Sequence, residues 1–229
     1  MSAGLFLMSL LLLSCDAGIV GNGEVQTRTK SIGDFNRLEI NGNFNVFLNQ
    51  TGSPGLRIEA DENIMDIIKV YESGNKLEIR SEENILRAKK KDLYINFDNL
   101  KALELSGAVE IRSEDKIKVS ALEITGSGAA DVNLEMDADL LRIDISGAGN
   151  FNLSGNVEDA DLIISGLGSF DLIDLKVRNM TIEISGAAHA RVYATEKLDV
   201  EISGAGAVKY KGKPDISRSI SGVGSLKRY

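Results

Sequence analysis

The residues of this chain that could do chemistry stand in columns. A hydroxyl residue followed by glycine recurs at Ser106-Gly107, Thr125-Gly126, Ser146-Gly147, Ser165-Gly166, Ser185-Gly186, Ser203-Gly204 and Ser221-Gly222. Repeated hydroxyls beside flexible backbone are the first candidate for a binding motif. Two residues ahead of most of them stands an acid: Glu104, Glu123, Asp144, Glu183 and Glu201, interrupted by Ile163. Stacked carboxylates could hold divalent cations. Like charges about 4.8 Å apart also repel, and a solvated face relieved by nearby Lys and Arg is the simpler reading. A second outward column holds Asp131, Asn152, Asp171, Arg191, Lys209 and Lys227, in which Asp171 and Arg191 suit an ion pair between coils.

Other chemistries fail on residue type or position. Calcium-binding rolls place a carboxylate two residues after the second glycine of Gly-x-Gly. Here that place holds Ala130, Phe151, Phe170, Val208 and Leu226, while Asp131 and Asp171 come one residue late, on the opposite face. His189 is the only histidine and Cys15 the only cysteine, so neither a zinc set nor a serine triad assembles in the usual way. The column of His189 otherwise holds Glu110, Ala129, Asn150, Ser169, Ala207 and Ser225, which marks an exposed turn. Paired carboxylates for glycoside hydrolysis have many candidates and no outstanding one. The basic run from Arg87 to Lys91 sits beside Glu82-Glu83 and reads as a solvated loop. The expectation is a protein that is not an enzyme and needs no cofactor.

The elements that position these columns follow from their spacing. The hydroxyls are separated by 19, 21, 19, 20, 18 and 18 residues, with a two-residue alternation inside each interval. That is the pattern of a parallel β-solenoid of 18–21 residues per coil, right-handed by the crossover preference. One residue before the hydroxyls stand Leu105, Ile124, Ile145, Ile164, Ile184, Ile202 and Ile220, and two residues earlier Leu103, Leu122, Ile143, Leu162, Ile182, Val200 and Arg218. These columns point inward. A second inward strand follows each hydroxyl, with Ala130/Val132, Phe151/Leu153, Phe170/Leu172, Ala190/Val192 and Val208/Tyr210. The Ser-Gly pairs then become corners, their hydroxyls expected to bond backbone, with Gly128, Gly149, Gly168, Gly206 and Gly224 supplying conformations that a Cβ would disfavour. Arg218 and Arg228 replace core residues in the last coil, which reads as a cap that blunts an open strand edge, with an oligomer interface as the alternative.

Ahead of the regular coils, 31–100 alternates less evenly. A turn is expected at Gly52–Gly55, a hairpin around Gly74-Asn75, and one or two helical turns near 61–68 with Asp61 as cap. The solenoid is expected to fill 31–229 as one domain, regular from 101 onward. The N-terminus reads as a targeting signal. Leu5–Leu13 is apolar but too short to span a bilayer, and it leads into Leu12-Leu13-Ser14-Cys15, which resembles a bacterial lipoprotein signal with Cys15 lipidated after removal of 1–14. The Gly-rich, polar stretch 15–30 reads as a flexible tether that holds the body off the membrane. A net charge of −8 argues against a nucleic-acid partner.

Taken in order, the lipoprotein signal, Phe35…Leu38-Glu39-Ile40-Asn41-Gly42-Asn43-Phe44-Asn45-Val46, Asp61-Glu62-Asn63-Ile64 and the repeated Ile-Ser-Gly-x-Gly coils resemble one family over about residues 31 to 229. It is the putative auto-transporter adhesin head domain, or head GIN domain, of envelope lipoproteins in Gram-negative bacteria. The resemblance implies a right-handed β-helix in a periplasmic or surface setting, and it supplies no catalytic or ligand residues. The expected function is a membrane-anchored adhesin or scaffold that binds a glycan or protein. A carbohydrate-active β-helix enzyme is the alternative, disfavoured because short turns leave little material for a cleft.

Overall fold

The computed structural model describes residues 18–229, so the signal segment 1–14 and Cys15 lie outside the described residues. Strands β1 (Ile19–Val20), β2 (Val25–Lys30), β3 (Arg37–Gln50) and β4 (Gly55–Asp61) lead to a single helical turn, α1 (Glu62–Met65). Next come the hairpin β5 (Ile68–Ser73) and β6 (Lys76–Ser81), then β7 (Ile85–Arg87) and β8 (Lys91–Phe97). The coils follow as β9 (Ala102–Ser113), β10 (Ile117–Gly126), β11 (Ala129–Ile145), β12 (Ala148–Ile164), β13 (Leu167–Ile184), β14 (Ala187–Ile202), β15 (Ala205–Lys211), β16 (Asp215–Ile220) and β17 (Val223–Arg228). The result is a β-solenoid of about seven turns with coils near 19 residues, and one short helical turn.

Alternation drives this architecture. Each coil turns every second side chain inward, and the inward set is chiefly Ile, Leu, Val and Phe with some Ala and Met, nearly all fully buried between Leu38 and Val208. Burying each such side chain is worth roughly 1.5–3 kcal/mol. In-register parallel pairing stacks like on like: Phe151 lies over Phe170 with ring centroids 5.2 Å apart, and Leu162, Ile182, Val200 form one continuous column. At the N-terminal end the stack changes character. There β3 pairs in parallel with β9, β6 and β8, while β4 joins β8 and β5 joins β6 antiparallel.

Two expectations need correction here. The stretch expected to be a tether is folded from Ile19 onward: β1 pairs with β7, and all of β2 pairs antiparallel with β4. Its alternating Val25-Gln26-Thr27-Arg28-Thr29-Lys30 suits an edge strand. Long-range bonds fix the turn between β1 and β2, with Asn22 N–H donating to Asn63 Oδ1 at 2.9 Å and Gly23 N–H to Asp61 Oδ2 at 3.0 Å. The second correction concerns Asp61. It stands at the N-cap of α1 but makes no side-chain cap bond, because its carboxylate turns to Gly23, Lys89 and Lys90 instead.

Candidate functional site

The corner motif is a packing device. At Ser146, Ser165, Ser185, Ser203 and Ser221 the backbone N–H donates at 2.9 Å to a carbonyl of the coil beneath. Only one corner hydroxyl bonds backbone among the described residues, Ser146 Oγ to Gly126 O at 3.4 Å; Ser165, Ser185, Ser203 and Ser221 are exposed. The glycines are required by close approach. A Cβ on Gly147, Gly166, Gly186, Gly204 or Gly222 would lie 1.8–2.1 Å from the carbonyl oxygen of the stacked glycine one coil below. Left-handed backbone occurs in this column at Gly107, with φ +90°, and at Gly42 stacked against it, with φ +144°. At Gly149, Gly168, Gly206 and Gly224, expected to need unusual conformations, φ is ordinary, and crowding by core side chains or backbone explains the small residue.

Thr125 and Gly126 are not at a corner. Thr125 pairs with Glu104 and Asp144, and Gly126 with Leu105 and Ile145, so the bend of that coil is Ser127-Gly128. The coil carries Thr-Gly immediately ahead of Ser-Gly, and the register follows the second pair because Gly128 is the one that stacks on Gly107. Gly126 therefore occupies a buried inward position, and Ile124 moves to the column of Leu103 and Ile143. The strand after the corner likewise stacks Val132 and Leu134 against Phe151 and Leu153, in place of Ala130 and Val132. Asn133, not Asp131, precedes Asn152 in its outward column.

The same register thins the acidic column. It runs Glu39, Glu104, Thr125, Asp144, Ile163, Glu183, Glu201, and Glu123 faces Arg142 instead, with Arg142 Nε 3.8 Å away. Arg37 pairs with Glu104 at 2.8 Å and Lys76 with Glu39. Among the described residues no three His, Cys, Asp or Glu side chains cluster closely enough to hold a metal ion. The pairing of Asp171 with Arg191 is present at 2.8 Å. His189 is exposed beside Ser169 and Ala207.

The concave polar surface lies at the second bend of each coil, where no repeated column was legible. Lys118, Asp137, Asn156 and Lys176 stand on four successive rungs, about 14 Å from end to end. They line a groove of about 770 Å³ with Gln50, Ser120, Asp139, Glu158, Arg178, Thr195 and Glu196. Its polar groups hold one another. Asn156 donates to Asp137 Oδ1 from its side chain at 2.9 Å and from its backbone at 3.2 Å, and Lys116 approaches Asp137 at 3.4 Å and Glu135 at 3.2 Å. Gln50 clamps Lys118 through its backbone, accepting from the N–H at 2.7 Å and donating to the carbonyl at 2.9 Å. Arg178 bridges Glu158 and Glu196. The Asn156 amide, aided by Lys116, keeps the Asp137 carboxyl below its ordinary range. A proton-donating carboxyl needs the reverse. The Nζ of Lys118 and of Lys176 make no ion pair among the described residues.

Beside the Ser-Gly corners runs a second concavity, of about 360 Å³, with an apolar floor. Ala108, Ala129, Ala148 and Leu167 stack along it over Val109, Ala130, Gly149 and Gly168, and Leu167 is 61% exposed. Lys91 closes one end, its ammonium pushed down by burial and bonded to Asn43.

A sequence profile of the family described as "Putative auto-transporter adhesin, head GIN domain" matches residues 34–214. The chain belongs to this family. A crystal structure of a putative adhesin from Bacteroides fragilis is similar, with a TM-score of 0.85 and 26% identity over 93% of this chain and 100% of that one. A protein from Parabacteroides distasonis described as a putative lipid binding protein has a TM-score of 0.73 and 26% identity, covering 92% of this chain and 99% of that one. A putative adhesin from Parabacteroides merdae, 22% identical, shares the fold with a TM-score of 0.68 over 93% of this chain and 100% of that one. No curated protein matches the sequence.

Proposed function

We propose that this member of the adhesin head family is a lipid-anchored, non-enzymatic binding module of the cell envelope, and that it holds an extended glycan chain along the Lys118–Lys176 groove. One observation carries the reading: four successive rungs present a pre-bonded row of donors and acceptors, with two free lysines at its ends. Polyhydroxylated chains bind well to polar groups already held in place, since little side-chain freedom is lost. The anchor would be Cys15 after removal of 1–14, and the ionised Asp137 fits binding better than glycoside hydrolysis. Titration calorimetry against purified envelope polysaccharides is the direct test. Asn156→Ala and Lys176→Ala should each weaken binding about tenfold, the scale of one lost polar contact. Equal affinity in both variants and wild type would refute the groove as the site.

A second reading is favoured by the Ala-Leu-Gly trough, whose apolar floor suits an acyl chain with its anionic end at Lys91. The likeness to the Parabacteroides distasonis protein supports it. Ala148→Glu should abolish such binding while leaving the polar groove intact.

A further inference from the structure

Three residues separate Cys15 from Ile19, the first residue of β1. The four backbone steps between their Cα atoms reach about 14 Å when fully extended. An acyl chain on Cys15 would therefore keep the β1 end of the rod close to the bilayer. That end carries features that suit contact with lipid. Ile19 and Ile85 pair and pack toward the core, which leaves Val20 and Leu86 on the outer side, 57% and 55% exposed.

Cations flank the pair. From Ile85 to Lys91 the chain holds Arg87, Lys89, Lys90 and Lys91 and no acid. Lys90 is taken up by Asp92 and Glu59, and Lys91 by Asn43. Arg87 and Lys89 are exposed, and neither makes an ion pair among the described residues. Of the acids before β7, Glu82 is paired with Lys69 and Glu83 is exposed. Asp61 fixes the arrangement. Fully buried, it accepts N–H bonds from Gly23 at 3.0 Å, Lys89 at 3.1 Å and Lys90 at 3.0 Å, tying the β1–β2 turn and the basic loop to the body.

We propose that this end of the rod is a membrane-seating face, with Val20 and Leu86 at the boundary between headgroups and acyl chains and Arg87 and Lys89 against anionic headgroups. It rests on the reading of Cys15 as the lipid anchor. Cations beside an anionic leaflet and apolar side chains beside a lipid anchor add to one another as membrane signals. The rod would then stand on its N-terminal end, and its grooves would rise from the bilayer.

Leu86→Cys and, at the far end of the rod, Val223→Cys each add one labelling site, both at exposed positions. The full-length proteins would be purified from membranes, labelled with an environment-sensitive fluorophore and reconstituted into phosphatidylcholine vesicles with or without phosphatidylglycerol. The label at 86 should shift to shorter wavelength and be quenched by lipid-borne quenchers, while the label at 223 stays water-exposed. Adding Arg87→Glu and Lys89→Glu should reverse the part of the shift that depends on phosphatidylglycerol. Mass spectrometry of the same samples reads the anchor. An unmodified Cys15 would overturn both the anchor and the seating, whereas an acylated Cys15 with a water-exposed label at 86 would overturn the seating alone.

Discussion

At the scale of single residues, the glycines matter more than the hydroxyls that accompany them. A Cβ on Gly128 would come 2.1 Å from the carbonyl oxygen of Gly107, which is backbone and cannot yield without moving a coil. A Cβ on Gly126 would crowd the Cδ1 end of Ile145, at 2.9 Å, which can shift, and would otherwise touch Ala130 Cβ at an ordinary 3.9 Å. Gly128→Ala should therefore cost about 3 kcal/mol or more, and Gly126→Ala less than about 1.5 kcal/mol, as read from urea unfolding of the two variants. Similar losses in both would contradict the register at that coil. This is also where the sequence was hardest to read. The tetrad Thr125-Gly126-Ser127-Gly128 offers two hydroxyl-glycine pairs, and local residue type does not distinguish them. The choice is made by a carbonyl one coil below.

At the scale of elements, the regular coils were legible because each strand repeats its own alternation, and a column of Ile or Leu needs no distant partner to be recognised. The N-terminal lead-in was not. Its short, Gly-rich turns look solvated, and what fastens them is Asp61, a carboxylate 38 residues further along the chain from Gly23. The polar groove escaped for a related reason: its four rungs hold Lys, Asp, Asn and Lys, a column with no common residue type. Asp61 gives a test of the lead-in. Burial opposes its charge, yet the backbone N–H bonds from Lys89, Lys90 and Gly23 together bring its folded-state pKa below the ordinary value. Its contribution is thus complete above the ordinary aspartate pKa of about 3.9 and disappears as pH falls through the lower folded value. Asp61→Asn should cost about 2 kcal/mol at neutral pH, flatten the acid limb of the stability curve, and raise hydrogen exchange across Val25–Lys30.

At the scale of the whole molecule, each coil touches chiefly the coils before and after it, as expected of a quasi-one-dimensional body. Deleting residues 147–165 joins Ser146 to Gly166 and removes one complete coil while keeping every column in register. The shortened protein should fold with an unchanged circular dichroism spectrum per residue and a lower Tm. Deleting only 147–156 removes one face of a coil and should leave a chain that aggregates. The distinct N-terminal end has a consequence in time as well as in space. A chain is made from its N-terminus, so the mixed antiparallel end is available before the first Ser-Gly coil emerges. Every later coil then finds a finished template with its hydrogen-bonding groups already aligned, and closes a loop of only about 20 residues to join it. The rod can grow in one direction, one rung at a time, without waiting for its far end.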